Sequence, residues 1–289
     1  MVLIFLEKDN KGYKDNMSNK TIAFIGTGNM SYAIIGGMLN NGFSANNIIA
    51  TNRNQEKLMK VANDFNVQTT SDNLDAIARA DVVVLSVKPQ MMEALCDTFK
   101  AAQIDLSSKV IVSVAAGITL SRLQEMLQCK TKLVRCMPNT PSLVGLGVSG
   151  LFSHDIDEHE KAFLDQVFSA TGITAWLTEE SQINDIIAVT GSSPAYFFLF
   201  MQAIEEKARN LGFDEQQARL LVQQTALGAA QMAASQPEIS LEQLRANVTS
   251  KGGTTHAAIE SMKDNQLPQV VANAMDACIA RAEEMETQI

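Results

Sequence analysis

Two glycine-punctuated stretches carry the residues best suited to chemistry. The first, "FIGTGNMS" at 24–31, follows an apolar run and opens a helical stretch. Gly26 allows a tight turn, Gly28 lets the backbone come close to a ligand, and the free amides of the helix start favour an anion such as a pyrophosphate. Ser31 takes the place of the third glycine in the usual fingerprint. The spacing alone therefore also fits a plain tight turn, and its position at the head of a βαβ series is what favours a dinucleotide. The second stretch, "NVTSKGGTTHA" at 247–257, breaks an otherwise helical region. Gly252 and Gly253 free the backbone there. The next helix, expected to begin at Thr255, presents unpaired N–H groups at the positive end of its dipole. With hydroxyls from Ser250, Thr254 and Thr255, this makes a pocket for an anion, of which a carboxylate is the natural choice. A purely structural helix-Gly-Gly-helix turn is the alternative.

The residues after the second apolar run, "ATNRN" at 50–54, bear on which dinucleotide would bind. An acidic residue there would hold an adenosine ribose, but Thr51, Asn52, Arg53 and Asn54 include none. Arg53 can pair with a 2′-phosphate and its small polar neighbours can donate to it, which favours NADP(H), with NAD(H) as the alternative. Two further strand ends, "SVKPQ" (86–90) and "VAAGIT" (114–119), fall where ligands of open α/β sheets bind. Lys88 is a candidate for phosphate or ribose, or simply a strand-end lysine. "RCMPNTP" (135–141) forms another such tip, near the expected nicotinamide end.

These loops need strands to hold them. Near-continuous apolar runs at 21–26, 47–51, 81–87, 109–115 and 132–138 read as strands covered on both faces, with crossover helices between them. Residues 20–178 are therefore expected to form an α/β, doubly wound sheet. After Trp176 the strands stop and residues 179–289 read as all-α. Ser193-Pro194 is expected to start a helix to Gly212, Asp214 with Gln217 and Ser240 with Gln243 to cap two more, and a last helix to run from Pro268 towards Glu286. "AYFFLFM" is apolar on every side, which a helical domain of this size cannot bury alone. A homo-oligomer is the expected consequence. Residues 1–19 are expected to be a disordered extension, neither leader nor membrane span.

The bulk composition limits partners. A net charge of -9 argues against nucleic acid and anionic membranes. Four scattered cysteines, Cys96, Cys129, Cys136 and Cys278, without a C-x-x-C pair indicate reduced thiols and a cytoplasmic setting. No metal site is expected: "HDIDEHE", with His154 and His159, reads as a solvated acidic helix start.

The segment "LEQLRANVTSKGGTTHAAIESMK" (241–263) resembles the C-terminal signature of Δ1-pyrroline-5-carboxylate reductases, and the order "FIGTGNM", "SVKPQ", "VAAGIT", "RCMPNTP", "GSSPAYFF" is similar to that family from residue 21 onward. Ser193 departs from it, standing where the family more often has glycine. The resemblance implies a Rossmann-type domain, a C-terminal all-α dimerisation domain forming a homodimer or an oligomer of dimers, and reduction of pyrroline-5-carboxylate to proline by NAD(P)H. It also implies site residues. Gly253, Thr254 and Thr255 would cradle the carboxylate, Ser250 and Asn247 would flank it, and Thr255 would lie nearest the ring nitrogen as the catalytic contact. Ile25, Gly26, Thr27, Gly28, Asn29, Met30, Asn73, Ser86, Val87, Lys88, Pro89, Val114, Ala115 and Ala116 match the cofactor-contact segments, beside Asn52 and Arg53. Substrate would lie between the two domains.

The expected chemistry is hydride transfer to a cyclic imine. A protonated imine accepts hydride readily, which suits a pocket with hydroxyls and amides but no obvious His, Glu or Asp. His256 reads as packing or solvent-facing rather than as an acid. The competing enzyme class, a β-hydroxyacid dehydrogenase, needs a lysine base early in the helix after a glycine turn, and "GSSPAYFFLFMQAIEEK" has none in its first turns. A non-catalytic cofactor sensor would have no use for a carboxylate cradle.

Overall fold

The structure, a computed structural model, describes residues 20–288, so the expectation for the leading segment falls outside it. Two compact units are present: residues 20–192 with 278–288, and Ser193–Ala277. Residue 178 lies inside the first.

The first unit is built on an eight-stranded sheet of order β3-β2-β1-β4-β5-β6-β7-β8. Its strands are β1 (Ile22–Ile25), β2 (Ile48–Thr51), β3 (Gln68–Thr70), β4 (Val82–Leu85), β5 (Val110–Ser113), β6 (Lys132–Pro138), β7 (Gly147–Phe152) and β8 (Gly172–Trp176). The first six run parallel, with Ile25 beside both Thr51 and Leu85. β7 turns antiparallel to β6, and β8 pairs parallel to β7. Strands β1, β2, β4 and β5 are buried at every position. Their alternate residues feed two separate cores, as a sheet covered on both faces requires.

One core joins Phe24, Val84 and Val112 to α1 (Asn29–Asn40), α2 (Gln55–Phe65) and α6 (Glu158–Ser169). The other joins Ile25, Leu85 and Ile111 to α3 (Asn73–Arg79), α4 (Met92–Ala101) and α5 (Leu120–Leu127). The order in which strands are added reverses between the parallel neighbours β1 and β4, whose connections leave to opposite sides, and their carboxyl ends form the switch point where such sheets bind ligands.

After β8 comes α7 (Gln182–Ile186), then a π-turn at Ile187–Gly191. This corrects the expectation for Ser193. Ser192 already has helical angles (φ -93, ψ -24), so α8 (Ser193–Asn210) continues a helical path and Ser193 does not cap a fresh start.

The second unit holds α8, α9 (Glu215–Ser235), α10 (Leu241–Asn247), α11 (Thr254–Asp264) and the first part of α12 (Leu267–Gln288). Asp214 and Ser240 accept from the amides of Gln217 and Gln243 at 2.8 and 3.1 Å, the forward half of each expected capping box. In the isolated chain Phe197, Phe198 and Leu199 of α8 are about two-thirds exposed (66%, 64% and 67%), as are Leu220 and Leu241. A contiguous apolar surface of this kind in water signals a missing partner surface. The stretch Gln182–Asn210 is also long and apolar enough to cross a membrane by length and composition.

Burial separates the thiols. Desolvation raises the thiol of Cys96 to about 11 and pushes that of Cys136 far up, while half-buried Cys129 is raised for the same reason. Thiolate is the reacting form. Iodoacetamide at pH 8 should therefore label Cys129 well before Cys96 or Cys136 in the native protein, read by peptide mass spectrometry; equal labelling of the three would contradict this burial pattern.

Candidate functional site

The carboxyl ends of β2, β1, β4 and β5 lie side by side and carry most of the expected cofactor residues. Gly26 follows Ile25 at φ +90, where a side chain is disfavoured. A Cβ there would also meet Val87 at 2.9 Å and the Ser86 carbonyl oxygen at 3.0 Å. The glycine is therefore demanded by the loop after β4 as well as by its own turn.

Gly28 is different. It starts α1 in extended geometry (φ -98), and a Cβ placed on it would meet no atom within 4 Å. The space above it is open. No side chain caps α1 and its first turn holds no acidic residue. The amides of Asn29, Met30 and Ser31 have no acceptor among the described residues. An uncapped helix start beneath an open glycine suits a phosphate.

The glycine loop is stapled to the end of β2. Thr27 N–H donates to the Thr51 carbonyl at 2.7 Å, Gly26 N–H to Thr51 Oγ1 at 3.3 Å, and Asn52 Nδ2 to the Thr27 carbonyl at 2.6 Å. Thr51 in turn donates to Asn73 Oδ1 at 2.6 Å, and Asn52 Oδ1 accepts from Asn54 N–H at 2.9 Å. Asn52 and Asn73 thus shape the loop that would hold a dinucleotide. Sequence reasoning missed the role of fully buried Thr51; its only signal was a hydroxyl ending an apolar run.

Arg53 is exposed, with Nη2 3.6 Å from Met91 Sδ in the turn after β4. No carboxylate ends β2, and the residues that follow it, Asn52, Arg53 and Asn54, are neutral or cationic. Lys88 is exposed and begins the short turn Pro89–Met91, whose Met91 N–H donates to the Lys88 carbonyl at 2.8 Å. Beyond β5, Val114 N–H donates to the Leu85 carbonyl at 3.2 Å and Ala115 N–H to Ser113 Oγ at 3.3 Å.

Three hydroxyls around this platform, Thr27 Oγ1, Ser31 Oγ and Ser86 Oγ, are buried without a hydrogen-bond partner among the described residues. Unpaired buried polar atoms cost about 1–3 kcal/mol each. Their concentration at one strand-end cluster, beside unpaired helix amides, fits a group rich in phosphate and hydroxyl oxygens.

The second unit presents its own uncapped helix start. α10 ends with Thr249 Oγ1 donating to the Arg245 carbonyl at 2.6 Å. Gly252 turns the chain at φ +73, and Gly253 N–H donates to the Ser250 carbonyl at 2.9 Å. Gly253 then begins α11 without a side-chain cap, and the helix starts at Thr254, one residue before the expected Thr255. The amides of Thr254, Thr255 and His256 have no acceptor among the described residues, and the first turn lacks an acidic residue. Ser250, Thr254 and Thr255 are exposed beside them. Asn247, also exposed, accepts from Gln243 Nε2 at 2.8 Å. The arrangement can hold a small anion among amides and hydroxyls. Among the described residues no group of three His, Cys, Asp or Glu side chains could hold a metal.

Residues 180–285 match the family model described as pyrroline-5-carboxylate reductase dimerisation, and residues 21–117 match NADP oxidoreductase coenzyme F420-dependent. The chain is 54% identical over 271 residues to the pyrroline-5-carboxylate reductase of Vibrio alginolyticus, covering 93% of this chain and 99% of that one. Among solved structures, a pyrroline-5-carboxylate reductase from Coxiella burnetii superposes with a TM-score of 0.87 at 40% identity, over 92% of this chain and 98% of that chain. The pyrroline carboxylate reductase of Plasmodium falciparum with NADP bound superposes with a TM-score of 0.81 at 26% identity, over 93% and 99% of the two chains.

Proposed function

As the chain belongs to the pyrroline-5-carboxylate reductase family and reduces L-1-pyrroline-5-carboxylate to L-proline with NAD(P)H, we propose that it does so by clamping two anions on two helix starts, the cofactor's pyrophosphate at α1 and the substrate's carboxylate at α11. The observation that carries this reading is the shared design of the two sites. Each helix follows a glycine turn, lacks a side-chain cap and has no acidic residue in its first turn. Such ends attract negative charge.

The reduced nicotinamide, when bound, supplies the hydride that reaches C5 of the imine. The chain's own residues supply orientation. Thr51, Asn52 and Asn73 hold the Gly26–Gly28 turn so that the amides of Asn29, Met30 and Ser31 face the pyrophosphate. The loops at Ser86–Pro89 and Val114–Ala116 flank the rest of the cofactor. Gly253, Thr254 and Thr255 receive the carboxylate, with Ser250 and Asn247 beside it. Thr255 Oγ1 hydrogen-bonds the ring nitrogen as it becomes an amine. Fixing both reactants in a near-attack geometry is a large part of what such a site must do, because the protonated imine is already electrophilic.

Arg53 selects the cofactor. Its guanidinium stands at the end of β2, where an NAD site would place a carboxylate, and it pairs with the 2′-phosphate of NADP(H). NADPH oxidation coupled to pyrroline-5-carboxylate, followed at 340 nm, tests this directly. Arg53→Ala should raise KM for NADPH about tenfold, the worth of one charge-assisted contact, and leave KM for NADH unchanged. Equal effects on both cofactors would remove Arg53 from this role.

The working assembly is a homodimer through the helical unit, and any larger assembly is built from such dimers. The exposed apolar surface of α8 and α9 supports this, and the same requirement accounts for the hydropathy of Gln182–Asn210 without a membrane. The setting is the cytoplasm.

A further inference from the structure

Arg135, on β6, is 3% exposed, a charge set within the sheet's interior. Such burial is costly unless the charge is paired. Its Nη1 donates to Glu180 Oε1 at 3.0 Å. Glu286, near the end of α12, brings Oε1 to 2.9 Å of the same nitrogen, a charge contact without hydrogen-bond alignment. The same Glu180 Oε1 also accepts the N–H of Leu120 at 2.7 Å. Leu120 is the first residue of α5, so its amide is one of those a helix leaves without an internal partner. A carboxylate there also suits the helix dipole.

The consequence concerns the segment between β5 and α5. Its first residues are fixed on the sheet by the bonds of Val114 and Ala115. Its last is fixed by a side chain from 60 residues further along the chain, itself immobilised by a buried arginine. Thr119 caps α5 locally by accepting from Arg122 N–H at 3.1 Å, so the Glu180 contact adds an anchor to a helix that already has a cap. We propose that Glu180 is a positioning residue for the cofactor. With Arg135 behind it, it holds the far end of the segment that begins at Val114–Ala116, through Leu120, and so limits how far Ala116 and the residues after it can move. This rests on the reading above that Val114–Ala116 flank the cofactor.

The test is isothermal titration of the whole enzyme with NADPH, alongside KM for pyrroline-5-carboxylate. Glu180→Ala should raise the Kd for NADPH about tenfold, because a loosened loop misplaces its contacts, and leave KM for pyrroline-5-carboxylate unchanged. Glu180→Gln retains an oxygen able to accept from both Leu120 and Arg135, and should stay within about twofold of the parent. Should Glu180→Ala fail to fold, Glu180→Asp, which keeps the charge but draws it back from Leu120, carries the same expectation in smaller degree. Ala116→Leu separates the two levels of the argument. If it leaves the Kd unchanged, the loop does not touch the cofactor and the underlying reading fails. If it weakens binding while folded Glu180→Ala or Glu180→Asp does not, only the positioning role is overturned. Equal weakening by Glu180→Ala and Glu180→Gln would overturn the hydrogen-bonded route.

Discussion

Gly28→Leu is expected to weaken NADPH binding by at least about a hundredfold while leaving thermal stability within about 1 kcal/mol of the parent. Both halves of this expectation come from one geometry. The backbone at Gly28 (φ -98, ψ -165) is open to any residue, and a Cβ there touches nothing. The protein therefore tolerates the side chain. The leucine would occupy the open volume above the amides of Asn29, Met30 and Ser31, where the proposed site puts the pyrophosphate, and a charged group displaced from a helix start loses those amides as partners. Gly26 would be a poorer test. With φ +90 and Val87 only 2.9 Å from its imagined Cβ, any substitution there disturbs the fold as well as the site. Titration with NADPH and a melting curve measure the two quantities. A Gly28→Leu enzyme that binds NADPH normally would move the cofactor off this loop.

The second large effect is on the substrate side. 1-Pyrroline, which is the substrate without its carboxylate, is expected to be reduced with kcat/KM lower by roughly a thousandfold, since a clamped anion supplies both binding and aim. The loss should be shared with the cradle. Ser250→Ala should reduce kcat/KM for the carboxylated substrate about tenfold, one charge-assisted hydrogen bond, yet leave the residual rate on 1-pyrroline unchanged. Thr255→Val should behave otherwise. It keeps the amide proposed to meet the carboxylate and loses the hydroxyl proposed to meet the nitrogen, so kcat should fall about tenfold or more with KM steady, for both substrates. If Ser250→Ala slowed both substrates equally, Ser250 would not be reading the carboxylate.

Much of this was legible in the residues, and the exceptions have physical causes. The strands "IAFI", "IIAT", "VVVL" and "VIVS" are buried on both faces, so unbroken apolar runs announced them. β3 is three residues, "QTT", at a sheet edge and half exposed, with no such run to read. β7 contains Gly147 and Gly150, which weaken any strand signal, and its antiparallel turn depends on pairing with Arg135–Pro138 that no local pattern encodes. Ser193-Pro194 reads locally as a good capping pair, and nothing in that pair shows that the helical path already runs through Ser192 from the π-turn at Ile187–Gly191. Asn139 lies in the tip "RCMPNTP", and its sequence context gives no sign of a structural role. Its buried side chain donates to the Thr190 carbonyl at 2.9 Å and accepts from Val148 N–H at 2.8 Å, tying β7 to that π-turn.

The candidate site divides the same way. Glycine turns that run directly into helices are local, so both helix starts on which the proposed anion sites rest could be read from spacing. The residues that support the first of them are not local: Thr51 meets Asn73 across 22 positions and Asn52 meets Thr27 across 25. Nor could the exposure of Phe197–Leu199 be told from the sequence, which announces only that they must be covered by something.

The most direct measurement is a crystal structure of the enzyme with NADP and L-proline bound. The proline carboxylate should lie within hydrogen-bond distance, roughly 2.7–3.2 Å, of the amides of Thr254 and Thr255, with the Thr255 hydroxyl at the ring nitrogen and the pyrophosphate over Gly28. A proline carboxylate bound by other groups, with Gly252 and Gly253 open to solvent, would contradict the account.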